Sequence, residues 1–210
     1  LIALTLWFFS LSPKTQAQWS SEHQFTPTAT LSERSLKIHR YRDFLYKQGP
    51  IQERKWEERI FDLNQLQGLE VIITEGPRIS HNSPSMLIFD FGTQGDIAVS
   101  IEPRIERKEI FSEKDSFYRK FELTYVFGSE EDLLTLRKIQ GVPLYRVPLN
   151  LTQQQNQALL VDIVEKAKKL RKAPEWYHPW TNSSHGNLIT HLEKAFGQLK
   201  FYQMIQYNPD

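Results

Sequence analysis

Apolar positions in this chain recur at two periods, alternating through its middle and returning every third or fourth residue toward its end. Leu69–Thr74 (LEVIIT), bounded by Gly68 and by Gly76-Pro77, predicts a strand. Met86–Phe91 (MLIFDF) is apolar on both faces until Asp90, the pattern of a strand near the centre of a sheet. Gly92–Asp96 (GTQGD) then predicts a turn. Ile97–Glu102 alternates, with Ile97, Val99 and Ile101 on one face and Ala98, Ser100 and Glu102 on the other, so the two runs make an antiparallel hairpin. Phe121–Phe127 (FELTYVF) alternates again, with Phe121, Leu123, Tyr125 and Phe127 facing inward. Leu36–Tyr46 mixes β-branched, aromatic and basic residues and reads as a further strand.

Three helices are predicted after these strands. Ser129 followed by Glu130, Glu131 and Asp132 suits a helix N-terminus, where a capping side chain and acids meet the positive end of the dipole, and Gly141 ends that element. After a short strand over Pro143–Leu149, Thr152 and Gln155 form a capping-box pair. Leu159, Leu160, Ile163, Val164, Ala167 and Leu170 then make a helical stripe that Pro174 closes. Its basic end (Lys166, Lys168, Lys169, Arg171, Lys172) complements the negative end of the helix dipole. The last helix carries Leu188, Ile189, Leu192, Ala195, Phe196 and Leu199 on one face. Strands first, helices late and hairpins within the sheet define an α+β fold, an antiparallel sheet with packed helices.

The N-terminus carries a different signal. Leu1–Leu11 is an apolar run of the length of a signal-peptide core and well short of the roughly 20 residues a membrane-spanning helix needs. Thr15-Gln16-Ala17 places small residues where a signal peptidase reads them, so residues 1–17 are expected to be a leader cleaved after Ala17, with a retained inner-membrane anchor as the alternative. Residues 18–35 are polar and aperiodic and read as a linker, which leaves 36–210 as a single exported domain.

Composition narrows the function classes. With 26 basic and 25 acidic residues among 210, the chain lacks the basic excess of a nucleic-acid binder. No cysteine is present, which excludes a thiol nucleophile, disulfides and Cys-ligated metal. The six histidines contain no His-Glu-x-x-His pair, and His185 and His191 fall on different faces of their helix with no acidic partner arranged beside them. No metal centre and no cofactor is expected. The acids Glu130, Glu131 and Asp132 are accounted for by the helix start.

Two segments hold candidate chemistry. Pro174–Asn187 (PEWYHPWTNSSHGN) packs two Trp, a Tyr and two His into a loop that runs into a helix start. Free backbone N–H groups there suit a nucleophile or an oxyanion, and Ser183 and Ser184 sit at that point; the simpler role is that Asn182 or Ser183 caps the helix while the aromatics fill a groove. Gly76–Ser85 (GPRISHNSPS), a loop entering the central strand, holds His81, a general base if it faces a hydroxyl at the helix start.

With these residues in view, the chain resembles the N-terminal periplasmic domain of the Lnb-type bacterial lipoprotein N-acyltransferases. The likeness runs from about Leu36 to Phe196, through RSLKIHRYRDFLY, WEERIFDLNQLQGLEVII, LIFDFGTQGDIAVSIEPRIE, FYRKFELTYVFGSEEDLLTLR and PEWYHPWTNSSHGNLITHL. The resemblance implies a circularly permuted papain-like (NlpC-type) fold in which the base precedes the nucleophile. It also implies partners: the acyl chain of a membrane phospholipid, carried on a Cys, and the N-terminus of a lipoprotein that receives it. A thiolate at a helix N-terminus with a His base suits that two-step transfer.

This chain departs from the family pattern twice. The family's Asn-Cys-Thr-Thr-Asn falls on Ser183-Ser184-His185-Gly186-Asn187, so Ser184 occupies the nucleophile position. Counted back from Phe89 without gaps, the family's His falls on Pro84; His81 takes the role with three extra loop residues. Glu102 and Asn182 are both available as a third residue orienting the base. Serine needs a well-aligned base where a thiol ionises near a pKa of about 8.5. The expectation is therefore a degenerate catalytic site that keeps an acyl- or lipoprotein-binding groove, the alternative being active transfer or hydrolysis through Ser184 with His81 as base.

Overall fold

Among the described residues, ten strands and four α-helices arise from these patterns. The computed structural model describes residues 10–47, 50–76, 79–139, 141 and 143–196, and only the backbone of 75, 76, 79–84 and 136. The strands are β1 (Ala29–Leu31), β2 (Ser35–Arg42), β3 (Leu45–Tyr46), β4 (Ile51–Glu53), β5 (Trp56–Asp62), β6 (Gly68–Gly76), β7 (Ile79–Asp90), β8 (Asp96–Arg104), β9 (Glu122–Gly128) and β10 (Leu144–Pro148). The helices are α1 (Glu113–Ser116), α2 (Glu130–Ile139), α3 (Gln153–Lys172) and α4 (Ser184–Phe196). The main sheet runs β1-β2-β9-β8-β7-β6-β10, with β5 also on β2, and β3 and β4 form a small separate ribbon. Pairing is antiparallel except where β2 meets β9, which are parallel and touch at Arg42↔Gly128.

Helices cover both faces of the sheet. Leu87 and Phe89 of β7, Val99 and Ile101 of β8, and Leu123 and Tyr125 of β9 pack with Leu159, Ile163 and Val164 of α3 and Leu188 and Leu192 of α4. On the other face Met86, Ile88, Ala98 and Val126 meet Leu133 and Leu134 of α2. Every residue of β9 is therefore buried, although its sequence alternates. The expected hairpins are present: β7 pairs β8 from Met86↔Ser100 to Asp90↔Asp96, and β8 continues onto β9 from Ala98↔Gly128 to Arg104↔Glu122. Gly95, at φ 86°, adopts the left-handed backbone that lets the chain reverse before β8. The capping box of α3 is complete, with Thr152 Oγ1 accepting from Gln155 N and Gln155 Oε1 accepting from Thr152 N, and every residue of its predicted stripe is buried.

Three expectations change. Residues 18–35, read as a linker, are built into the fold: Ser21–His23 makes a 3-10 turn, Ala29–Leu31 is β1, and Gln18 O accepts from Arg107 N at 2.7 Å. The buried anchor is His23, whose Nε2 lies 2.9 Å from Glu102 Oε2, while its Nδ1 accepts from Ile105 N at 3.2 Å. Polar residues here fasten the segment instead of solvating it, through partners about 80 positions away that leave no local pattern. Gly76–Ser85, read as a loop, instead extends the β6–β7 hairpin as far as Gly76↔Ile79, with residues 77 and 78 outside the described part. Pro84 is accommodated beside Ile73 just past a register shift, where a missing N–H costs the ladder least. Finally, Leu36–Tyr46 is not one strand: β2 stops at Arg42 and the chain breaks at Asp43-Phe44 before β3.

The break after β2 has a buried cause. Asp132, in the first turn of α2, accepts from Arg42 Nε at 2.8 Å, from Phe44 N at 3.0 Å and from Tyr46 Oη at 3.1 Å. Both charged side chains are fully enclosed. A carboxylate read as part of a helix start thus pins α2 to β2 and β3.

Candidate functional site

The loop before α4 is stitched to the start of β9. Leu123 N donates to Glu175 O and Tyr177 N to Phe121 O, both at 2.8 Å, so residues 175–177 add a short strand beside 121–123. The chain then reverses through a tight turn in which His178 and Asn182 exchange backbone bonds of 3.2 and 3.0 Å. Asn182 fixes this turn, donating from Nδ2 to Trp176 O at 2.9 Å and to Glu175 Oε2 at 3.1 Å, and accepting from Asn187 Nδ2 at 2.9 Å. Ser183 caps α4, its Oγ accepting from Gly186 N at 3.0 Å. Ser184 is thereby the first helical residue, among the backbone N–H groups that a helix start leaves unpaired.

The Ser184 hydroxyl lies beside the Tyr177 phenol, close enough to favour its ionised form. Burial raises the Tyr177 phenol above its ordinary value, against a smaller opposite effect of the Ser184 hydroxyl, so the phenol stays neutral at physiological pH. A neutral phenol is a poor acceptor for a serine proton. The Tyr177 ring stands edge-on to Phe111, 6.2 Å between centroids, which in turn lies 5.4 Å from Phe121.

The histidines with described partners are committed elsewhere. His178 Nδ1 accepts from Trp180 N at 3.2 Å and Thr181 N at 3.3 Å, which leaves the proton on Nε2 and removes it as a base. His23 serves Glu102, and His39 lies between Glu58 Oε2 at 2.7 Å and Thr30 Oγ1 at 2.9 Å on the strands β1, β2 and β5. His81 is on β7, an inner strand over which α4 packs, and its side chain lies outside the described residues. Pro84 is on the same strand.

Of the two residues considered for orienting a base, neither is free to do so. Asn182 holds the turn. Glu102 is enclosed and receives Ser100 Oγ at 2.6 Å, Arg137 Nη2 at 2.7 Å and His23 Nε2 at 2.9 Å. Burial alone would raise its carboxyl, but Arg137 and His23 hold it well below the usual range, so it remains a carboxylate.

One constellation was not legible from spacing. His191, read as having no acidic partner, is buried between Asp162 of α3 and Tyr125 of β9: Nδ1 lies 2.5 Å from Asp162 Oδ2 and Nε2 2.7 Å from Tyr125 Oη. Asp162 accepts and Tyr125 donates, which makes the imidazole neutral with its proton on Nδ1. Burial pushes the His191 pKa down despite the Asp162 bond, and burial raises the Tyr125 phenol. Asp162 sits beside Ile163 at the margin of the apolar stripe, the one sequence signal that an acid there has a partner. Among the described residues no group of three histidines or acids is placed to hold a metal.

An open groove of about 1030 Å³ lies where β2 and β9 splay apart. Its walls include Trp19, Phe25, Trp56, Leu123 and Leu170, with Arg40, Arg104 and Glu122 among them. Arg104 stacks on Trp19 at 3.9 Å and Arg40 on Phe25 at 4.4 Å. Burial lowers the Arg104 guanidinium to about 10 and raises the Glu122 carboxyl, whose Oε1 accepts from Lys14 N at 2.7 Å. Ser184 does not line this groove; the two meet at 122–123, the stretch stitched to 175–177.

A mostly antiparallel sheet with helices on both faces, and a hydroxyl at a helix start, defines an α+β domain. Residues 52–208 match the family described as the Lnb N-terminal periplasmic domain, and the chain belongs to that family. It is accordingly a periplasmic domain, and no helix among the described residues is long and apolar enough to cross a membrane. No curated protein and no solved structure matches the chain.

Proposed function

We propose that this domain is an acyltransferase-type scaffold that binds an acyl chain of a membrane phospholipid and the N-terminus of a bacterial lipoprotein without turning them over at Ser184. The observation that carries this reading is the neighbour of Ser184 at the helix start, the half-buried phenol of Tyr177. Serine attack needs an acceptor for its proton, and a neutral phenol is not one at physiological pH. The groove beside β9 supplies the binding half of the reading: its volume is at the upper end for ligand clefts, roughly 300–1,000 Å³. Its largely polar, charged lining, interrupted by Trp19, Phe25, Trp56, Leu123 and Leu170, suits the polar N-terminus of a lipoprotein beside a short apolar contact. The permuted papain-like reading is supported by chain order: β7 precedes α4, and α4 packs across it with the nucleophile position at its first turn.

A second reading, acyl transfer or hydrolysis through Ser184 with His81 as base, draws on chain order, since β7 carries His81 and precedes α4. Labelling separates the two. Exposure to a serine-directed alkyl phosphonate leaves the binding scaffold unmodified. Labelling that is lost in both Ser184→Ala and His81→Ala establishes the catalytic reading instead.

A further inference from the structure

The loop between β8 and β9 and the turn before α4 together expose an unusual run of large apolar side chains. Ile110 is 89% exposed, Trp180 82%, Tyr118 63% and Phe111 41%. Two ring groups meet at 177–178: Phe117 packs edge-on to Trp180 at 4.9 Å and to His178 at 5.3 Å, and Phe111 reaches Tyr177, beside Ser184; Ile110 and Tyr118 are the chain neighbours of Phe111 and Phe117. Exposed apolar side chains this large, on neighbouring loops, mark an interaction surface.

Building on the acyl-binding reading of Ser184, we propose that this surface docks the domain onto a phospholipid bilayer and sets Ser184 at the lipid surface. Three features select a bilayer over a protein. The two most exposed side chains are an isoleucine and a tryptophan, 89% and 82% exposed, on two neighbouring loops. Trp and Tyr belong at the headgroup boundary, where an apolar ring and a polar edge are both accommodated. Arg107 and Lys108, immediately before Glu109 and Ile110, are exposed and have no carboxylate partner among the described residues, which complements anionic headgroups. Of the nearby acids, Glu109 is neutralised by Lys120 at 3.3 Å, and Glu113 and Asp115 sit in the first turn of α1. An acyl chain leaving the bilayer beside Trp180 then has a short path along Phe111 and Tyr177 to the helix start.

Co-sedimentation with vesicles of phosphatidylglycerol and phosphatidylethanolamine tests the proposal. The unmodified protein is expected to pellet with them. Ile110→Asp and Trp180→Asp are each expected to weaken binding by on the order of tenfold, through lost apolar burial and added repulsion. Arg107→Glu with Lys108→Glu is expected to weaken binding to these vesicles and not to pure phosphatidylcholine. All four positions are exposed, so unchanged thermal unfolding verifies the fold of each variant. Tryptophan emission shifts to the blue on vesicle addition, and the shift is smaller in Trp180→Phe. The proposal is overturned if the unmodified protein stays in solution, if the aspartate variants bind equally well, or if sedimentation velocity shows a self-association that those variants abolish. Phosphonate labelling is measured without lipid, so its outcome judges the Ser184 reading separately.

Discussion

The Ser184 hydroxyl has a tyrosine phenol, that of Tyr177, beside it at the start of α4. A tyrosine in this place orders the serine without activating it. The same phenol faces Phe111, so it also joins the nucleophile position to the exposed aromatics. Tyr177→Phe keeps the ring packing and removes the hydroxyl that faces Ser184. It is expected to lower unfolding stability by about 1 kcal/mol, the ordinary worth of one hydrogen bond, as read by urea denaturation. A loss of several kcal/mol shows a larger structural role for the phenol.

The buried pair Arg42–Asp132 is a stronger structural constraint. Removing one partner strands the other charge, so Arg42→Met or Asp132→Leu is expected to cost about 3–5 kcal/mol. The double variant is expected to recover only part of this, because Phe44 N and Tyr46 Oη still lose their acceptor. Guanidinium unfolding of the three proteins measures the coupling.

The Asp162–His191–Tyr125 chain predicts a pH dependence. The folded His191 pKa lies below its unfolded value of about 6.5, so the folded state binds fewer protons and loses stability as pH falls through that value. Asp162, held below its ordinary range by His191 and Lys194 against the effect of burial, adds stability that is present above about pH 4 and is lost as pH falls further. Thermal unfolding between pH 8 and pH 5 is expected to show a falling midpoint, with a flatter profile in His191→Gln. An equally steep profile in that variant places the dependence elsewhere.

These relationships mark where sequence reading succeeds and where it stops. The α3 helix was legible because its signals are local: a capping box spanning Thr152 to Gln155 and a stripe at helical spacing. The β7–β8–β9 meander was legible because alternation and glycine turns act between neighbours. Long-range partners were not. Asp132 has the look of a helix-start acid, yet it binds Arg42 from 90 positions away, and His191 finds Asp162 on another helix. His23 makes residues 18–35 part of the domain through Glu102, which no composition count reveals. Ser184 was identified by position; its tyrosine neighbour, only seven residues earlier, was not, because the turn at 178–182 brings the two together.

The most direct test uses the absence of cysteine from the chain, which makes Ser184→Cys a protein with a single thiol. The rate of its alkylation by iodoacetamide, followed against pH, gives the thiol pKa in that variant and in Ser184→Cys/His81→Ala. A site without a base predicts the same pKa in both, since removing His81 then removes nothing that stabilises the thiolate. A pKa that rises by more than about one unit when His81 is lost shows an ion pair at the nucleophile position, and contradicts the account of Ser184 as a binding residue without catalysis.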